Sequence, residues 1–389
     1  MISDKLLQMV RCPDCVADPP AGANPATWGS LTVEAGKLVC AACGQGYDYR
    51  PALGYLGLLP QGEQFASGGH FGHTTKYVEH HDEFERALDY EHISEPLLGA
   101  GVRNATLRKL LRLHRNDRTL EVGCGNGKFA YWNRRRVDHM IGLDASPLFA
   151  SEALNAVDLV RGDARALPFA PATFNAIFSL DLMEHLTAAD VGQMFKEMRR
   201  VLKPGGRVMI YSNTREKSPL YPLIAGSRKV GDLLEGVGLA DFKRDRLRKS
   251  DHIKEIATFD QLKAVIDQAG FVLEEAVFWN GVFQSLTENV IAKVGEAVFT
   301  RRKARQLEPV TAGLPANHDH EGAADHAHDL PDAAQDAAAK AARQEVKRKI
   351  AEGGLYRTGL VGLTRLMLLD LVLFGKVQTG PFFVLLRAK

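Results

Sequence analysis

From Thr119 to Asn213 short apolar runs alternate with helical stretches, and this alternation restricts the fold more than any other feature. TLEVGCG (119–125), MIGLDAS (140–146), DLVRGDA (158–164), FNAIFSLDL (174–182) and RVMIYSN (207–213, entered from the turn KPGG) read as strands. Between them lie helical patterns such as AADVGQMFKEMRRVL (188–202), which puts Val191, Met194, Phe195, Met198, Val201 and Leu202 on one face. Regular strand–helix alternation means a parallel α/β sheet with helices on both faces.

Around this core the pattern changes. Residues 1–60 hold two Cys pairs and a hairpin-like stretch, SLTVEAGKLVC, turning at Ala35-Gly36. Residues 61–118 begin as a Gly-rich linker and continue as a charged, then apolar, helical segment. A core spans 119–280, with a loop-and-helix insertion at Thr214–Ala257, then a helix (259–270) and a strand (271–279). Residues 281–378 form a helical region. It opens on an amphipathic helix through Phe283, Leu286, Val290, Val294 and Val298, and passes through a polar, His-rich loop with His318, His320, His326 and His328. It closes on the apolar helix Leu360–Gly375. PFFVLLRA, within 379–389, is a final strand. Apolar residues make up 45% of the chain, enough for a core of this size.

The glycine turn Glu121-Val-Gly123-Cys-Gly125-Asn-Gly127 follows a strand and opens a helix. Such a turn lets a ligand approach the backbone closely at the carboxyl end of a parallel sheet. Asp144, 17 residues after Gly127, ends the second strand, where a carboxylate can accept both hydroxyls of a ribose. Asp163 ends the third strand and can take an exocyclic amine. Cys124 sits inside the turn and reads as structural.

Cys12-Pro-Asp-Cys15 and Cys40-Ala-Ala-Cys43 form two CxxC knuckles separated by 24 residues. Four thiolates so spaced can surround Zn²⁺ tetrahedrally, and a small unit gains folding free energy from the metal. With all four Cys bound there is no open coordination position, so the zinc is structural. Five Cys in a chain this long make no disulfide framework.

EVGCGNG, GLDAS, GDARALPFAPATFNAIFSLDLMEHL and VLKPGGRVMI resemble the successive motifs of class I S-adenosylmethionine-dependent methyltransferases. They are most similar to the small-molecule branch that includes ubiquinone and menaquinone biosynthesis enzymes. The resemblance implies a Rossmann-like sheet of seven strands, the last antiparallel, with PFFVLLRA as that strand and 281–378 inserted before it. It implies S-adenosylmethionine as cofactor. Gly123, Gly125 and Gly127 would line its methionine portion, Glu121 would orient the turn, and Asp144 and Ala145 would hold the ribose. Asp163 and Ala164 would face adenine, and Leu180 or Asp181 would close over the cofactor. LLQMVRCPDC…LVCAACGQGYDYRPALGYLGLLP resembles the Trm112-like zinc ribbon.

Methyl transfer is an in-line displacement that needs alignment and, for some acceptors, a base. The candidates follow the fourth strand: Asp181 and His185, with His185 of suitable basicity. Asp181-Leu-Met-Glu184-His185 is also similar to the acidic ExxEH run that holds a divalent cation in quinone-pathway O-methyltransferases. A plainer reading makes Glu184 and His185 caps of the next helix. His73, Tyr77, His80, His81 and His252 are candidates for contact with the acceptor.

Net charge is +2, which gives no global argument for nucleic acid. Basic runs at Lys243–Lys249, Arg301–Arg305 and Arg343–Lys349 are local. The expected acceptor is a small or lipid-like molecule. The rival reading is an rRNA or tRNA methyltransferase that docks substrate through the zinc ribbon. Leu6–Val10 is too short for a signal-peptide core, and Arg365 and Asp370 interrupt the longest apolar window. The expected location is therefore cytoplasmic, with peripheral membrane contact through 281–378 as the sharper alternative to a buried helix.

Overall fold

The computed structural model describes residues 2–17, 19, 21–24, 27–62, 65, 90–237, 242, 252–292, 344–345 and 347–389. His73, Tyr77, His80, His81, the His-rich loop, Val294 and Val298, and the basic runs at 243–249 and 301–305 lie outside them.

Helices α1 (Asp4–Met9) and α2 (Pro13–Ala17) are followed by β1 (Leu31–Glu34), β2 (Lys37–Cys40) and β3 (Gly46–Asp48), which form a small antiparallel sheet. The hairpin turn falls at Ala35-Gly36 as expected, with both residues at positive φ. Then come β4 (Tyr55–Leu58), α3 (Leu98–Leu111), β5 (Arg118–Val122), α4 (Lys128–Asn133), β6 (His139–Asp144), α5 (Ser151–Leu154), β7 (Asp158–Gly162), β8 (Phe174–Leu180), α6 (Ala188–Val201) and β9 (Leu202–Asn213). The chain continues through α7 (Tyr221–Gly236), α8 (Phe259–Gln268), β10 (Phe271–Phe278), α9 (Val282–Leu286), α10 (Gly354–Phe374) and β11 (Pro381–Ala388).

The main sheet runs β10-β11-β9-β8-β5-β6-β7-β4. β4 through β9 pair in parallel, whereas β11 is antiparallel to both β9 and β10. The α/β fold and the antiparallel last strand are as expected, but the sheet has eight strands, not seven. The extra one, β4, comes from the N-terminal unit and pairs with β7 from Tyr55↔Leu159 to Leu58↔Gly162. KPGG is not a free turn. It lies within β9 as an irregularity, the register with β8 shifting between Phe174 and Ala176.

Two cores cover the two sheet faces. One joins Leu6, Val10, Leu38 and Tyr47 of the N-terminal unit to Leu120, Phe169, Phe195 and Leu262. The other joins Val102, Leu107 and Leu111 of α3 to Phe178, Met209, Trp279 and Met367. The amphipathic stretch after β10 is α-helical only to Leu286, and Thr287–Ala292 continue as a π-helix. No helix among the described residues is long and apolar enough to cross a membrane.

Candidate active site at the carboxyl edge of the sheet

The chain runs β5, β6, β7 to one side of β5 and then returns to β8 on its other side. In a parallel sheet such a switch point opens a crevice at the carboxyl ends of the strands. Gly123 follows β5, Asp144 ends β6, Asp163 follows β7, Asp181 follows β8 and Asn213 ends β9. The sequence-predicted residues thus meet at one edge.

Gly123, Gly125 and Gly127 all have positive φ (74°, 53° and 81°), the region that favours glycine. A Cβ on Gly123 would meet Leu182 at 2.8 Å, and one on Gly127 would meet Ala153 at 2.7 Å. A Cβ on Gly125 would meet nothing within 4 Å, so the middle of the turn faces open space. The Glu121 carboxylate, fully buried, accepts the Ala130 N–H at 2.7 Å and so pins the start of α4 beneath the turn. Burial pushes its pKa well above the ordinary carboxylate range. Asp144 accepts the Gly125 N–H at 2.7 Å and the Ser146 N–H at 2.9 Å. Burial raises its pKa too, against those amides. One lone pair on each of its oxygens is left for a ligand hydroxyl. The Ala145 carbonyl accepts from Arg161 Nε at 3.1 Å.

Asp163 is forked to Arg165, at 2.9 and 2.7 Å, and Arg165 also reaches Asp190 at 3.3 Å. Sequence reading missed this arginine, which fixes the Asp163 carboxylate beside Ala164.

Asp181 has φ +58° and bonds its N–H to the Tyr211 carbonyl at 3.0 Å. Its carboxylate is ion-paired with Arg103 from α3, whose guanidinium lies 5.5 Å from the Tyr211 ring centre. Arg103 was not anticipated. A signal existed: it lies on the same helical stripe as Thr106, Leu107 and Leu110, all buried.

Glu184 and His185 do not cap the next helix; Thr187 does, accepting the Asp190 N–H at 3.1 Å. Glu184 is buried, accepting from the Ser212 hydroxyl and from Asn213 Nδ2 at 3.1 Å. Burial raises its pKa, and the charge of Asp181 adds to this. The Glu184 carbonyl receives the Ile253 and Lys254 N–H groups at 2.8 and 3.1 Å. This seats His252 with its ring centre 4.8 Å from that of His185, nearly perpendicular to it. Ligand atoms of Glu184, His185 and His252 lie within 4.8 Å of one another. Asp181, the first acid of the run, belongs to the Arg103 pair instead.

The four cysteines of the N-terminal knuckles also converge. Their sulfurs lie within 4.8 Å of one another, with Cys12–Cys43 at 3.8 Å and Cys15–Cys40 at 3.7 Å. A tetrahedron with Zn–S bonds of about 2.3 Å puts its sulfurs about 3.8 Å apart, so this set fits zinc. Asp14, inside the first knuckle, accepts from Tyr47 Oη at 2.6 Å and from the Gln61 and Gly62 N–H groups at 2.8 and 2.6 Å. Cys124 is buried and its thiol is pushed well up, in keeping with a structural role.

A glycine turn over a helix start, with acids at the next two strand ends, is an arrangement that suits a nucleoside at the switch point of an α/β sheet. Residues 120–210 match the family described as methyltransferase domain. The chain is 35% identical over 127 residues to the methyltransferase GfsG of Streptomyces halstedii, covering 30% of this chain and 45% of that one. It is 28% identical over 141 residues to 27-O-demethylrifamycin SV methyltransferase of Amycolatopsis mediterranei, covering 34% of this chain and 51% of that one. The chain spans about half the length of the curated relatives it matches. Among solved structures it is similar to a Haemonchus contortus phosphoethanolamine N-methyltransferase bound to phosphomonomethylethanolamine and S-adenosylhomocysteine. There the TM-score is 0.42 and the identity 18%, covering 81% of this chain and 58% of that one.

Proposed function

We propose that this protein transfers a methyl group from S-adenosylmethionine to a small or lipid-like acceptor. The observation that carries this reading is the cradle at the switch point: open space over Gly125, with the Asp144 carboxylate fixed by amides beside it. When bound, the cofactor supplies an activated methyl group on a sulfonium centre. Gly123, Gly125 and Gly127 would admit its methionine end, Asp144 would accept its ribose hydroxyls, and Asp163 with Ala164 would border its adenine. Leu180 and Asp181 close the floor. Arg103 holds Asp181 in place and balances its charge, which leaves the second carboxylate oxygen to face a ligand. His185, steadied by the perpendicular His252 ring, is the group to receive an acceptor's proton. Its exposure is only 7%, which restricts competing water. Glu184 with His185 and His252 offers a cation an alternative seat, which would orient an acceptor instead.

Zinc at Cys12, Cys15, Cys40 and Cys43 serves folding in a Trm112-like ribbon spanning 1–60. The core spans 119–280 and closes with 379–389, and 281–378 shapes the acceptor side. The outer face of α10 favours a peripheral contact with the inner membrane of a cytoplasmic enzyme. It exposes Leu355, Leu369, Val372 and Leu373, and the charged residues beside these, Arg365 in the helix and Lys376 just past its end, are both basic.

Calorimetric titration with S-adenosylmethionine tests the reading. Wild type should bind saturably and Asp144→Ala should bind at least about 30-fold more weakly, a loss of about 2 kcal/mol for hydrogen bonds to a charged group. Absence of binding to wild type, or equal binding by the variant, would overturn it.

A further inference from the structure

A second cavity lies at the opposite edge of the sheet. It measures about 490 Å³ and is lined by Arg108, Arg115, Arg135, Arg136, Leu113 and Trp132. β5 begins at Arg118, three residues after Arg115, and β6 begins at His139, three after Arg136. The cavity therefore sits at the amino ends of the parallel strands, a strand length of roughly 16 Å from the glycine turn. It is no part of the crevice described above.

Its charge is one-sided. Four guanidinium groups converge and no carboxylate lines the space. Arg108 donates to neutral acceptors only, Asn133 Oδ1 at 2.8 Å and the Trp132 carbonyl at 3.0 Å. Arg115, Arg135 and Arg136 have no carboxylate partner among the described residues. The acids that flank this edge in sequence are engaged elsewhere: Asp117 with Arg207 at 3.2 Å, and Asp138 with Lys5 at 3.3 Å. Burial lowers the pKa of Arg108, and the charge of Arg136 lowers it further. A bound anion relieves both costs at once.

The geometry narrows the anion. Planar guanidinium forks match phosphate oxygens in pairs, which a single ammonium group does not. Trp132 supplies a fixed aromatic wall: its indole N–H donates to the Ser94 carbonyl at 2.9 Å and its ring meets Phe129 edge-on at 5.2 Å. Arginines beside an indole suit a phosphate joined to a base, because each base has a π-face to stack. The volume falls in the range of small-molecule sites, about 300–1,000 Å³. We propose that this cavity binds the phosphate groups of a nucleotide, free or within an RNA strand, as a docking site separate from methyl transfer.

The test is calorimetry on the full chain at 0.15 M salt with ADP, a 12-nucleotide RNA and orthophosphate. Saturable binding of ADP or of the RNA is expected, weakened about tenfold or more in Arg135→Glu/Arg136→Glu. Arg115→Glu should weaken it in the same direction. Near-UV circular dichroism checks that each variant keeps its fold, and all three substituted positions are exposed. RNA binding more tightly than ADP assigns the site to a strand, and the converse assigns it to a free nucleotide. The proposal is overturned by no saturable binding of either probe, by equal binding in both variants, or by orthophosphate binding as tightly as ADP.

Discussion

The N-terminal unit and the helical layer of α7, α9 and α10 are both additions to the same sheet, attached in opposite ways. The N-terminal unit is joined through backbone. β4 extends the sheet by four register pairs, the Arg11 N–H bonds to Pro168, and the Ala170 N–H bonds back to Met9 at 3.0 Å. Its apolar residues merge into the sheet core. The helical layer is joined largely through side chains, such as Asn280 Nδ2 to the Phe374 carbonyl at 2.9 Å, with a backbone bond from the Phe278 N–H to the Gly375 carbonyl at 2.9 Å. Leu223, Val230 and Leu233 of α7, Val237 just past its end, Leu286 of α9, and Leu355, Leu369, Val372 and Leu373 of α10 stay exposed. An addition that shares the ladder becomes part of the domain, whereas one that rests on it keeps a second apolar face for something else.

The largest effect should come from the cysteines. Metal binding to such a site is worth about 10–16 kcal/mol in isolated zinc modules, and here it would support a unit that supplies a sheet strand. Cys12→Ser, or a strong chelator on wild type, should unfold residues up to β4 and expose the β7 edge. Hydrogen exchange at Val160 and Gly162 checks this. Unchanged protection in metal-free protein would mean that the unit holds itself together and that zinc is incidental.

Next comes the tie between α10 and α9. Asp370 interrupts an apolar helix, yet it is fully buried and accepts the Phe283 and Gln284 N–H groups at 3.0 and 3.1 Å. It is the polar anchor of the layer. Asp370→Ala leaves two partly buried amides unpaired and should cost about 2–4 kcal/mol. Faster exchange at those two amides, with the N-terminal unit unaffected, is the expected signature.

Acid should pull the two additions in opposite directions. Asp158 at the N-terminal seam is buried, which pushes its pKa up. The hydrogen bonds from His139 and Ser3 outweigh burial and hold it below the ordinary value of 3.8. A depressed carboxylate stabilises above its unfolded pKa, and this contribution fades as pH falls through the folded one. Asp370 is raised above 3.8 by burial, against its backbone bonds. The native form then holds its proton longer than the unfolded chain does. Its stability contribution is greatest below 3.8 and declines as pH rises towards the folded value. The slope is bounded at about 1.4 kcal/mol per pH unit for each group. Denaturant unfolding from pH 3 to 7 should show Asp158→Asn flattening the acid limb and Asp370→Asn flattening the opposite slope. A shared slope for both variants would break the comparison.

The same contrast explains what could be read from the sequence. The strands from Thr119 to Asn213, the glycine turn, Asp144 and the cysteine knuckles were legible because each is a local pattern whose physics is local. β4 was not, since YLGL looks the same whether it closes a ribbon or joins a sheet, and only its pairing with Leu159–Gly162 decides. Nor were Arg103 and Arg165, whose partners lie 78 and 2 residues away and depend on where the strand ends converge. Asp370 looked like an interruption of an apolar helix. Its meaning depends on two amides 86 and 87 residues earlier.

The smallest effect on stability should come from the outer stripe of α10, and it bears most directly on why the helical layer differs. Leu369 and Leu373 are 41% and 59% exposed, so replacing both by Glu removes little buried area and should shift stability by less than about 0.5 kcal/mol. If the stripe meets an anionic bilayer, the same change should abolish flotation with phosphatidylglycerol vesicles, because it removes apolar area and sets two negative charges beside Arg365. Neutral phosphatidylcholine vesicles should bind wild type more weakly, since Arg365 and Lys376 then have no lipid charge to face. If the variant floats as wild type does, the exposed face is not a membrane contact. The helical layer would then be an acceptor-side cover whose outer residues carry no partner, leaving the N-terminal unit and the layer different in attachment but alike in purpose.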